Sequence, residues 1–411
     1  MTQAVWITGV GSLTSLGSGF ESLVAAVRSP IAHFSSVPKA WLDLPHAPDA
    51  YIARLDAAAE AELKSFETIS TDRATAMALA TAAQAWQYAG LNGALTSGQS
   101  PERCGVYWGT GMGGLDTTET TYQRLLVDRA PLRPMTVVRI MANASAAQIA
   151  LKYGLKGANQ TYSVACASSA MALGEAMWAI RSGRLDLAVV GGSEAMLAPG
   201  VMVAWGALRV MATSGNVKNA NLPCRPFSSE RSGLVIGEGS AAFVLESARH
   251  AKARGAKPLA ELVGYASTCD AASLVHPAVE GQVSAMRQAL LDANMQPSDI
   301  DSLNAHATGT DTGDVVEAEA FTQVFGKRMP PVAATKAMHG HLLGAAGAIE
   351  AAVCLATLKT QLTPATLGLG ALDPRCAGVN AAEQPTGAKI RTVLSNSFAF
   401  GGSNASLIFK L

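Results

Sequence analysis

Hydrophobic and polar positions along this chain switch repeatedly between strand and helix spacing. Val5-Trp6-Ile7-Thr8-Gly9-Val10-Gly11 is a short apolar run closed by glycines, the pattern of a buried strand and its turn. Helical spacing is clearest over 72–88, with Gly90 as the stop, and 104–111 reads as the next strand. A strand near 162–165 runs directly into a helix of small residues over 167–181, stopped at Gly183; 185–190 and 240–246 are further strands.

From about residue 250 a similar order begins again. Strands are predicted at 259–265, 300–305, 392–395 and 405–409, with helices at 282–294 and 314–325 and a long Ala-rich helix at 342–358. Alternating strands and helices imply an α/β fold with mostly parallel sheets covered on both faces. Two halves of like order, 1–250 and 251–411, suggest an internal duplication.

Composition narrows the function. The chain has 411 residues, 49% hydrophobic and 15% charged, with 31 basic side chains against 31 acidic. Zero net charge without a long basic run argues against a nucleic-acid binder that works by neutralising phosphates. Aromatics are only 6% while glycine is abundant, which suits closely packed elements of an enzyme rather than a disordered chain. The first residues lack the pattern of a secretory leader, and no uninterrupted apolar run reaches 18 residues, so no membrane span is expected. Six scattered cysteines without a CxxC pair read as reduced thiols, and the expected compartment is the cytoplasm.

One of those cysteines stands apart. In Ser163-Val164-Ala165-Cys166-Ala167-Ser168-Ser169, Cys166 lies where an apolar strand meets a helix. A thiol there faces unpaired N–H groups and the positive end of the helix dipole, which favour the thiolate by about 0.3–1 kcal/mol. The same N–H groups suit an oxyanion. The sequence equally accommodates a buried cysteine acting as a small hydrophobe.

The second half carries two histidines and a lysine in glycine-rich surroundings. His306, in Asn304-Ala305-His306-Ala307-Thr308-Gly309-Thr310, follows an apolar strand and so belongs at the carboxyl edge of a sheet. Asp314 and Glu317 open the next predicted helix, placed to cap it or fix its approach. Lys336 reads as the end of a strand and His341 as the opening of the Ala-rich helix, with His339 between them. Singly, such groups are more often core or surface residues than catalysts. Together, a cysteine and two histidines without local metal-ligand spacing fit acyl transfer to sulfur, then carbon–carbon bond formation through an enolate held by imidazole N–H donors. A zinc site is the weaker competitor, because the three ligands come from distant segments. Between the last two strands, Phe398-Ala399-Phe400-Gly401-Gly402 reads either as a mobile loop carrying a bulky stopper or as a plain hairpin turn.

With these residues in place, the chain resembles the elongating β-ketoacyl-[acyl-carrier-protein] synthases of the thiolase superfamily. The resemblance rests on Ala165-Cys166-Ala167-Ser168-Ser169, on His306-Ala307-Thr308-Gly309-Thr310, on Lys336 with Gly340-His341-Leu342-Leu343-Gly344, and on Asn396-Ser397-Phe398-Ala399-Phe400-Gly401-Gly402. It implies a thiolase-like fold, two duplicated mixed-sheet halves in a five-layered αβαβα arrangement. Cys166 would be acylated from an acyl carrier protein. His306 and His341 would drive decarboxylation of the malonyl thioester, with Lys336 orienting them. Phe400 would be the gate and, with the Cys166 N–H, form the oxyanion hole. Thr308 and Thr310 would contact the phosphopantetheine arm. No metal or other cofactor is implied.

The resemblance also places Met112 and Trp205 at the acyl pocket, with Asp116 an unusual charge nearby, which suggests a substrate other than a long saturated chain. Carrier-protein docking would fall to Arg209, Arg124, Arg129 and Lys64, with Arg133 and Arg73 beside them. Ala307 and Ala399 stand where the family usually has glycine; if position 399 needs positive φ, alanine is costly there. The expected assembly is a dimer, either a homodimer or a heterodimer with a chain-length-factor-like subunit. Three functions remain: condensation in fatty acid biosynthesis, a ketosynthase of a type II polyketide or aryl-polyene pathway, and a non-catalytic chain-length-factor-like partner, against which the intact Cys166, His306 and His341 count.

Overall fold

The computed structural model describes residues 3–95 and 99–411. Ten strands line up edge to edge in one long sheet: β1 (Val5–Thr14), β2 (Cys104–Gly109), β3 (Asn159–Tyr162), β4 (Leu187–Glu194), β5 (Gly239–Ser247), β6 (Ala260–Cys269), β7 (Ser302–Asn304), β8 (Val332–Ala333), β9 (Thr392–Ala399) and β10 (Ser403–Lys410). Their spatial order is β8-β7-β9-β10-β6-β1-β5-β4-β2-β3. At the seam, β1 pairs antiparallel with β6 through two partners only, Trp6 with Glu261 and Ile7 with Ala260.

Outward from that seam the halves repeat. On one side β1 meets β5 and β5 meets β4 antiparallel, after which β2 and β3 add in parallel. On the other, β6 meets β10 and β10 meets β9 antiparallel, after which β7 and β8 add in parallel. Five strands taken in chain order thus give the same spatial order twice, the topological form of the duplication read from the sequence.

Helices supply the remaining layers. Between the half-sheets lie α4 (Ser168–Arg181) and α9 (Ala346–Thr360), which share one core with Ala188 and Val190 of β4 and with Leu407 and Phe409 of β10. The opposite faces bury their own sets. Val106, Trp108, Leu187 and Val189 pack under α1 (Arg73–Tyr88) and α3 (Ala144–Tyr153). Leu303, Leu394 and Ile408 pack under α6 (Val279–Asp292) and α7 (Asp311–Phe325). Successive strand side chains go to opposite covered faces, which is why the strands read as nearly continuous apolar runs. The result is five layers, as the resemblance implies.

Three sequence expectations shift. The sheet is mixed rather than mostly parallel, because the five pairings nearest the seam are antiparallel and only the four outer ones are parallel. The Ala-rich helix begins at Ala346 rather than 342, because Leu343 adopts φ of 47° and Leu343–Ala345 form a 3₁₀ turn. Lys336 opens a short helix, α8 (Lys336–His339), instead of ending a strand. Every residue of α9 from Ala346 to Leu358 is buried, and the 18-residue stretch Leu343–Thr360 that contains it, apolar and long enough to cross a membrane by composition, is 89% buried and serves as a core segment. Gly347 allows the close approach of α4: a Cβ there would sit 2.8 Å from the Cβ of Ala170.

Candidate active site

The chemistry-bearing residues gather at the carboxyl ends of parallel strands from both halves, as expected for α/β sheets. Cys166 follows β3, His306 follows β7, Lys336 and His341 follow β8, and Phe400 lies in the β9–β10 hairpin. They line one cavity of about 530 Å³, apart from Lys336, which is buried behind His306.

Cys166 stands on a tight bend. Ala165 adopts φ of 45°, a costly conformation for a non-glycine residue. The Ser168 hydroxyl secures it, donating to the Ala165 carbonyl at 2.6 Å while accepting from the Val164 N–H at 2.8 Å. The bend leaves the sulfur just before α4, and the Phe400 N–H donates to it. The helix terminus does not produce a resting thiolate. Burial dominates and pushes the Cys166 thiol up to about 12, against the opposing pull of Lys336 and the Phe400 N–H.

His341 Nε2 lies 3.0 Å from that sulfur. The residue is clamped through its backbone, its N–H donating to the Val235 carbonyl at 2.7 Å and its carbonyl accepting from the Gly237 N–H at 2.9 Å. The His306 ring meets the His341 ring edge-on, centroids 5.3 Å apart. The ligand atoms of Cys166, His306 and His341 all lie within 4.8 Å of one another, the spatial convergence that the sequence required.

Behind His306 sits a fully buried ion pair between Lys336 and Glu350. Lys336 Nζ is 3.3 Å from His306 Nδ1. An ammonium only donates, so Nδ1 accepts and the neutral ring carries its proton on Nε2. Burial, reinforced by the Lys336 charge, holds both imidazoles well below 6.5, so both are neutral near pH 7.

Asp314 and Glu317 do not cap α7. Glu317 accepts the N–H groups of His306 and Ala307 at 2.8 and 2.7 Å, fixing the loop that carries the histidine. Asp314 accepts those of Phe227 and Gly309. Burial raises Glu317 to about 8 and Asp314 to about 6. Thr308 and Thr310, hydroxyl oxygens 3.0 Å apart, line the cavity further out. Neither Ala307 nor Ala399 has a positive φ; the left-handed positions are Gly401 and Gly402, so the feared cost at 399 does not arise.

The remaining sequence candidates separate. Trp205 lines the cavity and stacks on Phe400 with centroids 5.9 Å apart. Met112 does not line it and is 54% exposed, on a face with other exposed apolar side chains. Arg209 is exposed at the cavity. Arg124, Arg129 and Lys64 are exposed but do not line it, while Arg73 is held by Glu60 and Glu238 and is not free to dock a partner.

Sequence reasoning missed Glu194 and Glu350. Glu194 is buried and accepts the N–H groups of Gly111 at 2.5 Å, Met112 at 3.3 Å and Gly344 at 2.9 Å, tying the loop after β2 to the segment after His341. Its only sequence signal was a carboxylate ending an otherwise apolar strand.

Comparison with known proteins places the chain in a family. The family model for the β-ketoacyl synthase N-terminal domain matches residues 2–251, and that for the C-terminal domain matches 259–370. "Nodulation protein E" of Rhizobium leguminosarum bv. trifolii is 37% identical over 413 residues, covering both chains completely. "3-oxoacyl-[acyl-carrier-protein] synthase 2" of Staphylococcus aureus (strain N315) is 33% identical over 423 residues, covering 99% of this chain and 98% of the other. Among solved structures, a beta-ketoacyl synthase from Burkholderia phymatum STM815 superposes with TM-score 0.91 at 33% identity, covering 99% of each chain. The ishigamide ketosynthase/chain length factor gives 0.89 at 28% identity, covering 100% and 99%. A type II polyketide ketosynthase in complex with its acyl-carrier protein gives 0.90 at 27% identity, covering both chains completely. The chain belongs to the β-ketoacyl synthase family and is a ketosynthase, an acyltransferase that catalyses condensation.

Proposed function

We propose that this ketosynthase condenses malonyl-[acyl-carrier-protein] with an acyl group carried on Cys166, giving 3-oxoacyl-[acyl-carrier-protein]. The observation that carries the residue assignment is the convergence of one thiol and two neutral imidazoles in a single cavity.

In the first half-reaction the Cys166 sulfur attacks the acyl thioester. The new S–C bond forms as the bond to the carrier sulfur breaks, and the proton of Cys166 leaves on the carrier thiol. His341 Nε2–H, at 3.0 Å, stabilises the developing thiolate. We assign the N–H groups of Cys166 and Phe400 to the carbonyl oxygen, the latter leaving the sulfur it meets at rest. In the second, the malonyl C–CO2 bond breaks and its electron pair enters the thioester as an enolate. Nε2–H of His306, held in that tautomer by Lys336, and His341 donate to the enolate oxygen. The enolate carbon attacks the acyl-cysteine, and Cys166 departs as a thiolate that takes a proton from solvent. No metal enters these steps: the three groups are spaced to hold one, but the buried Lys336 ammonium behind His306 disfavours a second cation there. Chelator treatment should leave turnover intact.

For the substrate, we favour an acyl chain bearing polar or conjugated groups over a long saturated one. Trp205 narrows the cavity beside Phe400. Leu115 packs on the cluster containing Cys166, and the next residue, Asp116, lines a second cavity with Arg54, Glu60, Arg73 and Glu238. We direct the far end of the acyl chain toward this charged cavity, which would suit a polar group better than an aliphatic end. This favours a polyketide or aryl-polyene role over primary fatty acid synthesis, a reading that the likeness to a solved type II polyketide ketosynthase supports. Met112, Tyr122, Leu126, Val127 and Val137 are exposed around α2 (Leu115–Leu126), an apolar face that we assign to a second subunit, either another copy of this chain or a chain-length-factor-like partner. The carrier protein would approach the cavity mouth at Arg209.

Intact-mass detection of acyl transfer from a panel of acyl-carrier proteins, saturated and conjugated, tests the proposal, with Cys166→Ala as control. Transfer to the Ala variant would defeat the assignment of the nucleophile, and a clear preference for saturated chains would defeat that of the substrate.

A further inference from the structure

Gln282 is a buried polar side chain that the chemistry above leaves without a task. It lies in the first turn of α6, is 1% exposed, and lines the cavity of Cys166. Its Oε1 is buried without a hydrogen-bond partner among the described residues. Its place is fixed by the backbone around it. The Ala278 N–H donates to Asp270 at 2.9 Å, Asn404 of β10 donates to the same carboxylate at 2.7 Å, and Thr268 donates to the Gly281 carbonyl at 2.8 Å. A buried carboxamide oxygen without a partner loses its hydration for nothing in return, so a polar occupant of the cavity is the natural explanation.

The chemistry of that occupant follows from the side chain. A carboxamide offers both a donor and an acceptor, and only a group that both accepts and donates satisfies it. A malonyl carboxylate or a thioester carbonyl only accepts and would leave Oε1 unpaired. A secondary amide does both. On the reading proposed above, the cavity receives acyl groups on a pantetheine arm, which carries two secondary amides. We infer that Gln282 contacts this arm by pairing its carboxamide with an arm amide, a contact additional to those of Thr308 and Thr310.

The test compares acylation of Cys166, followed by intact mass, from acyl-pantetheine and from the same acyl group on butanethiol, which has no amide. Gln282→Leu keeps the volume and leaves no unpaired polar group. With unchanged thermal unfolding, it should lower kcat/KM for acyl-pantetheine roughly 2- to 12-fold, the range for one hydrogen bond, mainly through KM. The butanethiol ester should react as with the wild type. Equal slowing of both esters, or no change with either, overturns the inference; so does a defect confined to malonyl transfer, which would place the side chain on the carboxylate. Wild-type protein that acylates Cys166 from neither ester would instead refute the ketosynthase reading of the site, and is told apart by that result.

Discussion

Lys336 Nζ stands 3.3 Å from Nδ1 of His306 and is ion-paired on its other side to Glu350, with both charged groups wholly buried. One ammonium thus fixes an imidazole tautomer and compensates a carboxylate that burial, working against the pull of this same lysine, raises to about 7. Removing one member of such a pair costs about 3–5 kcal/mol, whereas removing both costs less. Lys336→Met should therefore lower the melting temperature more than Lys336→Met with Glu350→Leu. Both variants should lose at least about 100-fold in CO2 release from malonyl thioester, the range for a misplaced oxyanion donor. Wild-type CO2 release from a folded Lys336→Met protein would sink this account of the lysine.

Glu317 gives the protein a pH signature. Its folded value of about 8 exceeds the ordinary 4.5 because of burial, so between these values the folded chain holds a proton that the unfolded chain has released. Stability contributed by this group is present below pH 4.5 and drains away as pH rises through 8, by at most about 1.4 kcal/mol per pH unit. Glu317→Gln cannot titrate. Its melting temperature relative to wild type should climb steadily from pH 5 to pH 8; a constant difference across that range would show that Glu317 is ionised throughout.

How much of this was legible in the sequence depends on the range of the interaction. Cys166, His306, Lys336 and His341 stood out because each lies in a distinctive local context, at a strand end or a helix start beside small residues, and the topology then brings these segments to one edge. Glu350 and Gln282 were missed because each lies on a helix whose pattern reports only burial, and their partners or neighbours arise from other segments. At Cys166 the reverse holds: the helix-terminus effect read from the sequence is local and small, and desolvation, which no sequence window reports, outweighs it.

Trp205 and Phe400 stack with an interplanar angle of 20°, so the proposed gate rests against an aromatic wall. Such a pair contributes about 0.5–1.5 kcal/mol beyond the area it buries. Trp205→Ala should therefore open the gate more often and shorten the lifetime of the acyl-enzyme against hydrolysis by roughly 2- to 12-fold. Trp205→Phe should retain most of it. Time-resolved intact mass of acylated protein reads this directly, and identical lifetimes for the wild type and Trp205→Ala would detach the tryptophan from the gate.

The resting state of Cys166 can be read chemically. Nucleophiles at helix N-termini are often thiolates at neutral pH, and alkylation then reaches a plateau near pH 7. Here burial pushes the thiol up to about 12, and the neighbouring His341, kept neutral by burial and by Lys336, is too weak a base to hold its proton. Alkylation of Cys166 by iodoacetamide should consequently keep rising about tenfold per pH unit up to at least pH 9, since only the thiolate reacts. Cys166→Ala supplies the background from the exposed Cys269. A plateau below pH 8 would mean that the sulfur shares a proton with His341 at rest. The nucleophile would then be preformed rather than generated as the thioester carbonyl enters the N–H groups of Cys166 and Phe400.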